Sequence, residues 1–251
     1  MKKIVIANWK MNPSGKTEAE NIFKNVLKNL NSYKNGEVVI CPPFPFIFIK
    51  DKFKTKKIKL GAQDVFYEKD GSYTGEVSSL MLKDFRVEFT IVGHGERRSL
   101  GEKDQDINKK IQALLKSNIV PVFCIGESDR DANGFYLSFI KQQIIEGLRG
   151  VAKNQIKNII IAYEPLWAIG SGATRVATSL EFTEIRIYIK KILSDLYDIK
   201  TANEVRIIYG GSVNPLNAKS FMIEGGADGL LVGRDSLTPK KFCEIINVSI
   251  N

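Results

Sequence analysis

The stretch Lys157-Asn158-Ile159-Ile160-Ile161-Ala162-Tyr163-Glu164-Pro165-Leu166-Trp167-Ala168-Ile169-Gly170-Ser171-Gly172 sets the reading of the chain. Its first half is apolar, β-branched and too short for a helix, so it reads as a buried strand. Glu164 stands where that strand ends. Pro165 blocks continuation of the ladder and pre-sets a turn. An apolar tip follows, Leu166 to Ile169, and Gly170-Ser171-Gly172 closes it. Such a tip beside a carboxylate is costly in water unless the loop covers something. The segment therefore reads as a base with a lid over it. Gly170 and Gly172 do not open a dinucleotide fingerprint, because the third glycine position holds Arg175.

Working outward, similar apolar runs occur at Ile4 to Asn8, Val38 to Cys41, Ile58 to Gln63 and Phe89 to Gly93. Others lie at Ile119 to Cys124, Ile159 to Tyr163, Val205 to Tyr209 and Gly229 to Val232. Amphipathic segments separate most of them. Examples are Ile22, Phe23, Val26, Leu27 and Leu30, then Ile107, Ile111, Leu114 and Leu115, then Ile185, Ile189, Ile192, Leu193 and Leu196. Thr17-x-x-Glu20 and Asp104 mark expected helix starts. The alternation is βαβα with no linker or composition break, so one domain over residues 1–251 is expected. Eight units suggest a closed (β/α)₈ barrel, although periodicity alone does not separate it from an open doubly wound sheet.

The bulk numbers narrow the function. The chain has 251 residues, 43% of them hydrophobic, and a formal net charge of +9. That charge favours anionic partners, but the dense run from Lys50 to Lys59 lacks the aromatic interleaving of a nucleic-acid platform, so no nucleic acid is expected. Cys41, Cys124 and Cys243 are an odd, scattered set, which suits free thiols in a reducing compartment. One histidine nearly excludes a zinc site, and no metal is expected. The apolar run after Met1 is too short for a signal peptide, and no stretch reaches membrane-spanning length. The expectation is a cytoplasmic protein with no membrane partner.

In a barrel, residues at the C-terminal ends of strands share one mouth. There stand Asn8-Trp9-Lys10, Gly93-His94-Gly95-Glu96-Arg97-Arg98, Cys124-Ile125-Gly126-Glu127, Glu164, Tyr209-Gly210-Gly211-Ser212-Val213 and Val232-Gly233-Arg234. A lysine, the only histidine and a carboxylate would meet two glycine-rich turns of the kind that bind phosphate through backbone N–H groups. Glu96 is expected near Lys10, with Arg97 as a supporting charge, and Cys124 as a small buried hydrophobe. Gly15-Lys16-Thr17 fails as a P-loop, because its first glycine would fall at Lys10. Neither Ser171 nor Ser212 sits in a Gly-x-Ser-x-Gly elbow.

Taken together, Asn8-Trp9-Lys10, the Gly93 to Arg98 turn, Glu164 to Gly172 and Tyr209-Gly210-Gly211-Ser212 resemble the triosephosphate isomerase family. The likeness runs from end to end and includes Gly61-Ala62-Gln63 and Thr74-Gly75-Glu76. It implies the closed (β/α)₈ barrel and interconversion of dihydroxyacetone phosphate and D-glyceraldehyde 3-phosphate, in glycolysis and gluconeogenesis, without a cofactor. It also implies Glu164 as the base, His94 as the electrophile and Lys10 as the stabiliser of negative charge, with Asn8 and Lys10 contacting substrate. Gly170, Ser171, Ser212, Gly233 and Arg234 fall at phosphate-contacting positions, and Leu166 to Thr174 would be the closing lid. The Val65–Val77 loop, with Thr74, would insert into a partner subunit and make a homodimer. A monomer would leave Phe66, Tyr67 and Tyr73 exposed.

Several positions depart from the family pattern. Gly95 stands for a serine that contacts the base, and Ser171 for a threonine. Ala173 and Arg175 alter the rear of the lid, and Arg234 takes the second place of a glycine pair. Two rival functions remain, a phosphate-ligand binder without turnover and a nicotinamide-dependent oxidoreductase. Isomerase turnover on a triose phosphate separates the isomerase from the binder; the oxidoreductase predicts cofactor binding, and the failed glycine fingerprint argues against it.

Overall fold

Eight parallel strands close on themselves in the computed structural model, which describes residues 1–30, 36–169, 173 and 175–250. The strands are β1 (Lys3–Asn8), β2 (Gly36–Cys41), β3 (Lys59–Ala62), β4 (Phe89–Val92), β5 (Val120–Ile125), β6 (Ile160–Tyr163), β7 (Arg206–Tyr209) and β8 (Gly229–Val232). Each pairs with its sequence neighbours, and β8 returns to β1 through Ile4↔Gly229 to Ala7↔Val232, so no sheet edge is left open. The longer helices between them are α1 (Lys16–Asn29), α5 (Asp104–Lys116), α6 (Phe135–Gly147), α7 (Ser179–Leu196) and α10 (Pro239–Ile250). Short ones are α2 (Ile49–Phe53), α3 (Ser79–Asp84), α4 (Gly95–Ser99), α8 (Ile199–Glu204) and α9 (Ala218–Ile223). None of the described helices is long and apolar enough to cross a membrane.

Strand alternation divides the core in two. Ile4, Ile6, Val39, Cys41, Ile91, Val122, Cys124, Ile160, Ile208 and Leu231 pack inside the barrel. Val5, Ala7, Val38, Ile40, Ile161 and Tyr163 face the helices, where they meet Phe23, Ile107, Ile111, Ile185 and Ile189. All three cysteines are free and buried, and burial pushes the Cys41, Cys124 and Cys243 thiols up, away from the reactive thiolate.

One expected helix signal needs correction. Thr17 does not cap α1; the helix begins at Lys16 behind an extended Gly15, with no side-chain cap, and Glu20 pairs instead with Lys52 at 2.5 Å. Asp104 opens α5 as expected, and it binds Arg98 at 2.6 Å. The full reciprocal capping box lies at Thr178 and Glu181, ahead of α7. The Val65–Val77 loop also differs from expectation. Tyr73 is 45% exposed, but Phe66 and Tyr67 are half-buried in a ring cluster with centroids 4.3 and 4.7 Å apart.

Candidate active site

The strand ends bring Asn8, Lys10, His94, Glu164, Ser212, Gly233 and Arg234 around one cavity of about 550 Å³. Gly170 and Ser171 lie outside the described residues, as do Gly172 and Thr174 of the expected lid. Gly210, Gly211, Ile169 and Leu231 complete much of the wall.

Lys10 leaves β1 with a left-handed backbone, φ 53°. Two contacts hold it there: its N–H donates to Asn8 Oδ1 at 3.0 Å, and Gln63 Nε2 donates to its carbonyl at 2.8 Å. Gln63 also donates to Cys41 O at 2.9 Å, so one carboxamide ties the ends of β1 and β2 together. The Lys10 ammonium lies 2.5 Å from Glu96 Oε1, as the sequence suggested, and a Cβ on Gly233 would come within 3.3 Å of its Cε. Arg97 turns elsewhere, to Asp64 at 2.9 Å and Glu102 at 3.4 Å. Lys110, almost fully buried, closes that ionic cluster behind the loop with bonds to both carboxylates. Burial outweighs these partners and pushes the Asp64 carboxyl up.

His94 is the N-cap of α4, and its Nδ1 accepts from the Glu96 N–H at 3.2 Å. An accepting Nδ1 places the ring hydrogen on Nε2. That nitrogen lies 3.3 Å from Glu164 Oε1. Glu164 is only 2% exposed, and Oε2 accepts from the Gly95 N–H at 3.0 Å. Oε1 is buried without a hydrogen-bond partner. Oε2 is thus held by a main-chain donor, while Oε1 faces His94 Nε2 at 3.3 Å without an aligned hydrogen bond.

The apolar tip after Glu164 is packed rather than bare. Trp167 and Ala168 are buried, and Ser212 Oγ donates to Ala168 O at 2.7 Å, linking the tip to the turn after β7. No role for Glu127 follows from the sequence alone. Its Oε1 accepts from Tyr163 OH at 2.7 Å and Trp167 Nε1 at 2.8 Å. Burial raises its carboxyl, and those two donors oppose the rise. A glutamate directly after a Gly-terminated strand was the available signal, but its partners lie a strand away. Among the described residues, no group of three His, Cys, Asp or Glu side chains could hold a metal.

A sequence model described as Triosephosphate isomerase matches residues 3–249. The chain belongs to the triosephosphate isomerase family. Relatives bearing that name include one from Dictyoglomus thermophilum, 42% identical over 248 residues and covering 98% of each chain. Another, from Aquifex aeolicus, is 43% identical over 250 residues, covering 98% of this chain and 99% of its own. In triosephosphate isomerase terms the cavity stands at the expected end of the barrel, over the carboxyl ends of the strands.

Proposed function

We propose that this chain interconverts dihydroxyacetone phosphate and D-glyceraldehyde 3-phosphate, with Glu164, His94 and Lys10 as its catalytic residues. The observation that carries the assignment is the meeting of a buried carboxylate and the imidazole, Glu164 Oε1 lying 3.3 Å from His94 Nε2 in the cavity that Lys10 also lines. Glu164 takes a proton from the carbon beside the carbonyl, and the electron pair moves to the carbonyl oxygen. His94 Nε2–H and the Lys10 ammonium stabilise the charge that gathers there. Glu164 then returns the proton to the neighbouring carbon while the hydroxyl proton passes, by way of His94, to the former carbonyl oxygen, so one hydrogen moves between the carbons and one between the oxygens. Positioned proton transfer contributes about 10²–10⁴ in rate, and each aimed donor about 10²–10³.

The phosphate has a natural seat at the turns after β7 and β8. Ser212, Gly233 and Arg234 border the cavity there, and main-chain N–H groups at such turns attract an anion. Asn8 sits at the floor beside Lys10 and is 5% exposed. Gly170 and Ser171 complete the phosphate seat in this reading, with 166–174 as the lid that excludes water. Exposed Met11 (93%) and Tyr73 (45%) support pairing of two copies through the Val65–Val77 loop and Thr74.

A coupled isomerase assay on the purified chain tests the assignment. Glu164→Gln removes the base while keeping the shape, so kcat falls by about 10²–10⁴ with an unchanged melting temperature. A folded variant within tenfold of the parent rate refutes the role of Glu164. An inactive parent that is still stabilised by phosphate ligands favours the binding protein.

A further inference from the structure

Glu164 rests against a wall that is itself held from behind. Gln143, on α6, is 1% exposed. The Gly126 N–H donates to Gln143 Oε1 at 2.9 Å, and Gln143 Nε2 donates to Gly126 O at 3.2 Å. A single carboxamide thus satisfies both polar groups of one residue. Gly126 needs this because it lies just beyond β5, whose last register partner to β6 is Ile125↔Tyr163. Main-chain groups buried past the end of a ladder are costly unless a side chain takes them.

Gly126 in turn presses on the backbone of Glu164. A Cβ at position 126 would lie 1.8 Å from Glu164 O, 2.6 Å from its C and 3.3 Å from its Cα. No side chain fits there, and the close approach fixes how far β6 can sink. Bonds on either side complete the contact: the Glu164 N–H donates to Ile125 O at 2.8 Å, and the Leu166 N–H to Glu127 O at 2.9 Å. The whole 125–127 segment is therefore a template for the main chain that carries Glu164 and starts the tip. Gln143 is what ties the template to a helix.

We propose that Gln143 is a positioning residue for the isomerisation, setting through Gly126 the height from which Glu164 Oε1 reaches the substrate carbon. This rests on the reading of Glu164 as the base. The carboxamide carries a donor and an acceptor on one carbon, matching the C=O and N–H of Gly126, and a hydrocarbon side chain offers neither. Misplacement of a reacting group by about 1 Å costs on the order of 10² in rate. The loss belongs to the chemical step, because Gln143 does not itself line the cavity.

The test is the turnover of dihydroxyacetone phosphate in D₂O by the full chain and its Gln143→Leu variant. NMR of the product gives the ratio of molecules that keep the substrate hydrogen to those that gain deuterium. That ratio reports where the carboxylate stands relative to the two carbons and to water, and it does not depend on how much enzyme is active. We expect kcat to fall by about 10- to 100-fold, KM to stay within twofold, and the isotope ratio to change by more than twofold. An isotope ratio equal to the parent's overturns the inference, whatever the rate. Should Gln143→Leu fail to fold, Gln143→Glu decides by the same ratio, since it keeps the acceptor for Gly126 N–H and loses the donor at neutral pH. A parent without isomerase activity would instead overturn the reading on which this rests.

Discussion

Leu166 fills the space that a side chain on Gly95 would need: a Cβ built at position 95 would sit 2.3 Å from Leu166 Cδ2. The same Gly95 offers its N–H to Glu164 Oε2. The first residue of the tip and the resting place of the carboxylate are therefore packed as one unit. The family pattern has a serine at this position, and Leu166 supplies the steric reason for a glycine in this chain.

That packing predicts a coupled pair. Gly95→Ser pushes the end of the Leu166 side chain aside and costs about 1 kcal/mol of stability. Leu166→Ala in the same chain recovers part of the cost, so the two changes are non-additive by at least about 0.5 kcal/mol. Urea unfolding of the parent, both single variants and the double variant measures this, and strictly additive costs would count against the pairing.

A second prediction concerns acid. Arg175 and the Thr178 capping contacts hold the Glu181 carboxyl at about 2, down from 4.5, against an opposing burial effect. A group depressed in the folded state adds stability above its unfolded value and loses it as pH falls through the folded one. The contribution of Glu181 is thus full above about pH 4.5 and gone near pH 2. Glu181→Gln should be less stable than the parent at neutral pH, and the gap should close between pH 4.5 and 2. A gap that stays constant over that window in pH-dependent urea titrations would exclude the linkage.

The third concerns assembly. Tyr73 and Met11 are exposed in the single chain, and the proposed pairing of two copies would bury such apolar surface. Sedimentation of the purified chain should give a dimer, and Thr74→Arg should shift it towards monomer with reduced turnover. A parent that sediments as a monomer at micromolar concentration would end the dimer reading.

Much of this could be seen in the sequence because buried parallel strands write themselves as short apolar runs. Each of the eight was found within two residues of its observed ends. Lys10, His94 and Glu164 were legible because strand ends share a mouth once closure is assumed, and closure came from resemblance, not from periodicity. Signals that depend on one side chain finding another were less visible. Thr17 and Glu20 have the spacing of a capping box, yet Gly15 starts the helix and Lys52 takes Glu20. The real box at Thr178 and Glu181 has the same spacing and precedes the apolar run from Ile185, but spacing alone does not say which of the two boxes closes. Glu127 and Gln143 act on partners a strand or a helix away. Nothing local in the sequence announces such contacts.

The interior plug of Ile4, Ile6, Val39, Ile91, Val122, Ile160 and Ile208 has a consequence for traffic. Below the polar floor the barrel is filled, so it gives a triose no rear exit. Both triose phosphates must come and go by the same doorway, in turn, and a departing product keeps the next arrival waiting at the threshold.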